Sequence, residues 1–148
     1  MKYKRPEAII IDLDGTLCDS SKRVHFLSGS TPDYKSFYEE SSEDAANEWC
    51  VEIVNKFINT NCKVLFITGR PEKYRGITEG WILKVLGIPR YRYKLLMRED
   101  NNYQPDFEVK KSIYYDHVES LYDVMFCIDD RKQVVNMWKS LGLECLHC

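Results

Sequence analysis

Three apolar runs along the chain end in the same way, in polar or charged residues. Ala8-Ile9-Ile10-Ile11 stops at Asp12, Val64-Leu65-Phe66-Ile67 at Thr68-Gly69-Arg70, and Val124-Met125-Phe126-Cys127-Ile128 at Asp129-Asp130-Arg131. A strand buried on both faces is continuously apolar and turns polar where it meets solvent, so each run predicts a strand of a covered sheet. Lys94-Leu95-Leu96-Met97 and Glu144-Cys145-Leu146 are shorter candidates.

Between these runs the apolar period becomes helical. Ala46, Trp49, Cys50, Ile53 and Phe57 share one face, and Ser41-Ser42 with Glu43 and Asp44 predict the start of that helix. Trp81, Ile82, Val85 and Leu86 predict a second helix, stopped by Gly87 and Pro89. Val109, Ile113, Val118 and Leu121 predict a third, and Val134, Val135, Trp138 and Leu141 a fourth, ended by Gly142. Strands alternating with helices imply right-handed crossovers and a parallel sheet covered on both faces, an α/β three-layer architecture. Residues 18–40 and 98–106 are polar and read as loops or small insertions. With 148 residues, no internal repeat and no long linker, residues 1–148 are expected to form a single domain.

Composition narrows the class. A hydrophobic share of 44% with 30% charged residues fits a folded globular chain and excludes extensive disorder. No run approaches the roughly 18 apolar residues of a membrane span, and the N-terminal residues precede only a short apolar run; neither a signal peptide nor a membrane association is expected. The six cysteines then read as reduced thiols in a cytoplasmic protein. Cys145 and Cys148 have metal-like spacing but no second ligand pair, so zinc is not expected. A net charge of −2, from 21 basic and 23 acidic residues, supplies no global attraction for nucleic acid, so any polyanion must be bound locally. Arg90-Tyr91-Arg92-Tyr93 is either such a local track or a connection into a strand with its tyrosines in the core; the second reading is preferred. His25, His117 and His147 show no triad or ligand spacing.

In an open parallel sheet, ligands bind beyond the carboxyl ends of the strands. Asp12, Asp14, Thr68, Arg70, Asp129 and Asp130 are all predicted at that edge. One carboxylate there commonly caps a turn, but four at the ends of two strands are harder to explain so. If the strands are neighbours, each like pair at about 4 Å and an effective dielectric of about 20 costs roughly 4 kcal/mol, so a cation is required. Oxygen-only donors select a hard divalent ion, and Mg²⁺ suits partial hydration and an added phosphate oxygen. Residues two apart on an extended chain point the same way, so Asp12 and Asp14 can face one reacting centre, while Gly15 lets the chain turn. One carboxylate can attack phosphorus and the other shuttle a proton.

Asp12-Leu-Asp-Gly-Thr-Leu17, Ile67-Thr-Gly-Arg70, a later lysine and Ile128-Asp-Asp-Arg131 resemble the four signature segments of the haloacid dehalogenase (HAD) phosphohydrolase superfamily. The resemblance implies a Rossmann-like sheet with a small or absent cap, and Mg²⁺ held by Asp12, Asp14 and Asp129. It also implies Asp12 as nucleophile, Asp14 as general acid and base, Thr68 and Gly69 at the phosphoryl group, and Asp130 in a supporting position. Ile128 to Cys145 is similar, more narrowly, to the end of the 3′-phosphatase domain of phage polynucleotide kinase. That likeness implies Arg23, eleven residues beyond Asp12, and Arg70 as substrate-binding arginines. It favours Lys110 over the neighbouring Lys111 as the catalytic lysine, with Asp106 orienting Lys110 across one helical turn. Arg98, at the predicted end of its strand, is expected to reach a substrate phosphate.

The expectation is therefore a Mg²⁺-dependent phosphatase that removes 3′-phosphates from nucleic-acid ends through an aspartyl phosphate. A nucleotidase or other small-molecule phosphatase is the alternative within the same chemistry. A non-catalytic module that binds nucleic-acid ends or a repair partner is the alternative of another class. No Gly-x-x-x-x-Gly-Lys-Ser/Thr segment occurs, so neither nucleoside triphosphate binding nor 5′-phosphorylation is expected of this chain.

Overall fold

The computed structural model describes residues 4–148. In chain order its elements are β1 (Glu7–Ile11), β2 (Cys18–Asp19), α1 (Tyr34–Glu39), β3 (Ala45–Ala46), α2 (Glu48–Ile58), β4 (Lys63–Pro71) and α3 (Arg75–Trp81). They continue with β5 (Lys94–Arg98), α4 (Asp106–His117), β6 (Asp123–Asp129), α5 (Lys132–Ser140) and β7 (Cys145–His147). The main sheet has the order β5-β4-β1-β6-β7, and every pairing in it is parallel. Side chains alternate across β1: Ile9 and Ile11 enter one core layer with Cys50, Val54, Trp81 and Ile82, and Ala8 and Ile10 enter the other with Val109, Ile113, Val134 and Trp138. Helices on both faces explain why the strand sequences are continuously apolar.

The strand order positions the site. β1 lies between β4 and β6, so the residues that follow their three carboxyl ends become neighbours. The Asp12 amide donates to the Ile128 carbonyl at 3.1 Å, which extends β1 against β6 up to the first aspartate. β4 runs through Thr68-Gly69-Arg70 to Pro71, beyond the end of its apolar run.

Local departures from the sequence pattern have identifiable causes. α2 begins at Glu48 rather than near Ser41, because Asp44 is drawn to Arg23 and Ala45–Ala46 pairs antiparallel with Cys18–Asp19. Its buried stripe is Cys50 and Val54, while Trp49 is 44% exposed and stands off the expected face. Leu121 lies beyond the end of α4 and is exposed. α3 passes into a widened turn, Ile82–Leu86, and stops at Gly87, whose φ of 70° is the left-handed conformation glycine adopts without strain. The polar segment after β1 is a small cap held by the β2–β3 pair, and it carries α1 and two 3₁₀ turns. Among the described residues no helix is long and apolar enough to cross a membrane.

Candidate active site

Asp12, at the end of the central strand, is 6% exposed. Its Oδ1 accepts from Lys110 Nζ at 2.8 Å and its Oδ2 from the Thr16 hydroxyl at 2.9 Å. Lys110 reaches it from α4 and also donates to Asp129 Oδ2 at 2.6 Å, while Asp129 Oδ1 accepts from the Arg131 amide. Asp12, Asp129 and Asp130 bring carboxylate oxygens within 4.8 Å of one another. Against these three, the structure sets one buried ammonium ion.

The electrostatics follow from that shortage. Burial, partly offset by Lys110 and reinforced by Asp129 and Asp130, holds the Asp12 carboxyl well above the usual carboxylate range. Asp130 is also pushed up, by burial and then by Asp129, and its Oδ1 is buried without a hydrogen-bond partner. An orphaned acceptor and three crowded hard oxygen donors are what a divalent cation of the Mg²⁺ type would complete. Gly15, at φ +85°, makes the crowding possible: a Cβ there would stand 2.2 Å from Asp130 Oδ2.

Asp14 has the opposite surroundings. Arg70 Nε donates to its Oδ2 at 3.0 Å, and Arg70 Nη2 and Arg23 Nη2 converge on its Oδ1 at 2.6 and 2.5 Å. Burial raises its pKa, but Arg70 and then Arg23 outweigh burial and bring it down to about 2. Its carboxylate is thus not part of the Asp12–Asp129–Asp130 group; it is gathered instead with Cys18 and Asp44. The Asp14 side chain faces two guanidinium groups rather than the acidic group around Asp12.

The remaining predicted residues are brought to the same edge, some with unexpected partners. Thr68 is 1% exposed and its Oγ1 accepts from the Arg70 amide. Gly69 has no room for a side chain, since a Cβ would meet Asp106 Oδ1 at 2.6 Å. Asp106 does not contact Lys110 across the helical turn; it accepts from Arg98 Nη2 and from Arg131 Nη1, both at 2.5 Å. Lys110 instead leans from the next turn into the cluster, between Asp12 and Asp129, while Asp106 is taken by the two arginines. Arg98, expected to reach out to substrate, donates to the carbonyls of Gly69, Asn102 and Gln104 as well as to Asp106, and so ties the loop after β5 to β4. Arg23 and Arg70 are 2% and 1% exposed and are turned on Asp14. Of the two tyrosines in Arg90–Tyr93, Tyr93 is buried against Phe66, whereas Tyr91 is 82% exposed and not in the core. That strip precedes β5, at the sheet edge opposite the aspartates.

A family model described as the polynucleotide kinase PNKP phosphatase domain matches residues 6–148. The chain belongs to this phosphatase family. As a member it is a HAD-type phosphoric monoester hydrolase, and HAD family phosphatases generally use Mg²⁺. Among its relatives is a protein of Autographa californica nuclear polyhedrosis virus assigned as a bifunctional polynucleotide kinase/RNA ligase, 29% identical over 145 residues, 95% of this chain and 19% of that one. A chain of the Pnkp1/Rnl/Hen1 RNA repair complex superposes with a TM-score of 0.80 at 32% identity, covering 97% of this chain and 42% of its own length. The chain therefore spans less than half of each of these relatives. The class C acid phosphatase of Bacillus anthracis, 17% identical with a TM-score of 0.69 over 98% of this chain and 67% of its own, shares the fold.

Within this PNKP-type phosphatase the structure also identifies partners that sequence reasoning did not single out. Asp44 is 9% exposed and bonds Arg23 through both carboxylate oxygens, at 2.8 and 2.6 Å. Thr78 accepts from Arg70 Nη1 at 3.0 Å, and Asn47 Nδ2 donates to the Thr16 carbonyl at 2.8 Å. Thr16 stood in the quoted motif without a role. Asp44 was read as a helix-start acid, and only its spatial approach to Arg23, 21 residues away in sequence, separates the two readings.

Proposed function

We propose that this domain hydrolyses terminal 3′-phosphates of nucleic acid, with Asp12 as nucleophile and Asp14 as proton carrier. The observation that carries the reading is the contrast between adjacent carboxylates: Asp12 is oriented by Lys110 and Thr16 beside an undercompensated acidic group, while Asp14 is held by two arginines.

Asp12, Asp129 and Asp130 supply hard oxygen donors for Mg²⁺, which when bound screens the nucleophile from the incoming phosphate and polarises a phosphoryl oxygen. Lys110 holds Asp12 and Asp129 in register and keeps its own charge, because their attraction outweighs the opposing effect of burial. A carboxylate oxygen of Asp12 attacks phosphorus, the ester bond to the 3′-oxygen breaks, and an aspartyl phosphate forms. Thr68 and Gly69, at the end of β4, line the position of the phosphoryl group. Arg23 and Arg70 provide the positive charge that draws a phosphate dianion to a site otherwise rich in acids. In the free protein these arginines keep Asp14 ionised. When their charge is shared with a phosphate dianion, Asp14 rises toward the range in which it takes a proton from solvent and passes it to the departing 3′-oxygen. Ionised again, it removes a proton from the water that attacks phosphorus, which returns Asp12 and releases phosphate.

The repair-complex and viral relatives support a polynucleotide end as the substrate. A panel of 3′-phosphorylated single-stranded, duplex and nicked oligonucleotides, with a nucleoside 3′-monophosphate beside them, tests this. Higher kcat/KM for the oligomers, dependent on Mg²⁺ and abolished by Asp12→Asn, is expected. Equal specificity constants for the mononucleotide and the oligomers would favour a nucleotidase.

A further inference from the structure

We propose that the face of α1 carrying Tyr34 and Tyr38, continued by Tyr74, is a stacking platform for the bases that precede the phosphorylated end of a single-stranded polynucleotide. The proposal rests on the polynucleotide-end reading and adds the surface that separates a polymer from a small phosphomonoester.

Tyr34 and Tyr38 stand one helical turn apart, with ring centroids at 6.3 Å and planes inclined by 22°. Tyr38 meets Tyr74 at 5.0 Å and 35°. The row therefore runs from Tyr34, 56% exposed, through half-buried Tyr38 to buried Tyr74, from solvent toward the site. Its inner end is attached to the chemistry: Tyr74 closes the 3₁₀ turn Glu72–Tyr74 directly after β4, the strand that delivers Thr68 and Arg70. Its helix is attached as well. The Arg23 guanidinium lies 4.5 Å from the centroid of the Phe37 ring, and Arg23 Nη1 donates to the Phe37 carbonyl at 2.7 Å. The Tyr38 phenol is held above its ordinary range by burial first and then by Asp106 and Asp14, against Arg98. Lys73, with its ammonium 5.4 Å from the Tyr74 ring, places a cation beside the row for a backbone phosphate.

A row of tyrosines serving only the core would be covered along its length, and this one opens to solvent at the end farther from the site. Every base has a π face, so such a row accepts a strand with little sequence preference. Single-stranded ends fit because their bases are free to leave their own stack and lie on the rings.

The test compares wild type, Tyr34→Ala and Tyr34→Phe on a 3′-phosphorylated single-stranded oligonucleotide, the same oligonucleotide with abasic sites next to the phosphate, and p-nitrophenyl phosphate. For Tyr34→Ala, the ratio of kcat/KM on the oligonucleotide to that on the aryl phosphate is expected to fall roughly 10-fold, within the range of one base stacked on one ring, and through KM. Tyr34→Phe restores the ratio, and the abasic oligonucleotide lowers it in wild type by a similar factor. A wild-type preference for the oligonucleotide that survives both Tyr34→Ala and the abasic substrate overturns the platform alone. A wild type with no such preference overturns the polynucleotide reading and the platform with it.

Discussion

Asp12 and Asp14 are two residues apart on one turn, yet they occupy opposite electrostatic environments. On the Asp12 side, three carboxylates share one lysine, and Asp12 is driven above the ordinary range chiefly by burial. On the Asp14 side, two arginines enclose one carboxylate, Asp44 secures one of them, and the pKa falls to about 2. The difference teaches how one turn divides acid chemistry. Strand β6 brings negative charge to Asp12, whereas the cap and the end of β4 bring positive charge to Asp14. The side short of positive charge suits a cation, and the side rich in guanidinium suits an anion.

The largest effect should come from removing the lone lysine. Lys110→Met leaves three carboxylates without a buried cation, and urea unfolding of the metal-free protein is expected to show a loss of about 3–5 kcal/mol, the cost of breaking a buried ion pair. Mg²⁺ should restore part of that loss. Arg70→Met, by contrast, leaves Asp14 with Arg23, so its loss should be smaller and insensitive to Mg²⁺.

Metal binding sharpens the same division. Saturating Mg²⁺ should raise the Tm of the wild type by roughly 5–10 °C, as a ligand well above its Kd does for a domain of this size. Calorimetry should find that shift reduced in Asp129→Asn and retained in Asp14→Asn, whose carboxylate lies outside the group.

The smallest predicted effect concerns acid. Asp14 titrates at about 2 when folded, against an ordinary value of 3.8 in the unfolded chain. A lowered carboxylate pKa stabilises the fold fully above the unfolded value and loses that contribution as pH falls through the folded one. Wild type should therefore lose about 2 kcal/mol more than Asp14→Asn between pH 5 and pH 2 in urea titrations.

The sheet was legible because buried parallel strands have continuous apolar runs, and all five appear near the expected positions. The carboxyl-end rule then placed Asp12, Thr68 and Asp129 together without knowledge of any contact. The cap was less legible. Arg23 and Asp44 pair across it, beside the β2–β3 ladder, and the sequence places those residues on either side of a polar stretch with no period to link them. The helix expected from Ser41 failed for this reason: a tertiary ion pair overrode a local start signal. Asp106 misled in a similar way, since i, i+4 spacing makes a contact with Lys110 available, but Arg98 and Arg131 compete for the acid and Asp12 and Asp129 for the lysine.

The central claim, that Asp12 attacks phosphorus, is tested most directly by trapping the covalent intermediate. A Mg²⁺ reaction with a 3′-phosphorylated oligonucleotide is stopped in acid during steady-state turnover, treated with borohydride, and the peptide spanning Asp12 is analysed by mass spectrometry. Conversion of Asp12 to homoserine, absent without substrate and with Asp14 unmodified, is the predicted result. Reduction at another carboxylate, or turnover with no acid-stable phosphate on the protein at any quench time, would contradict the account.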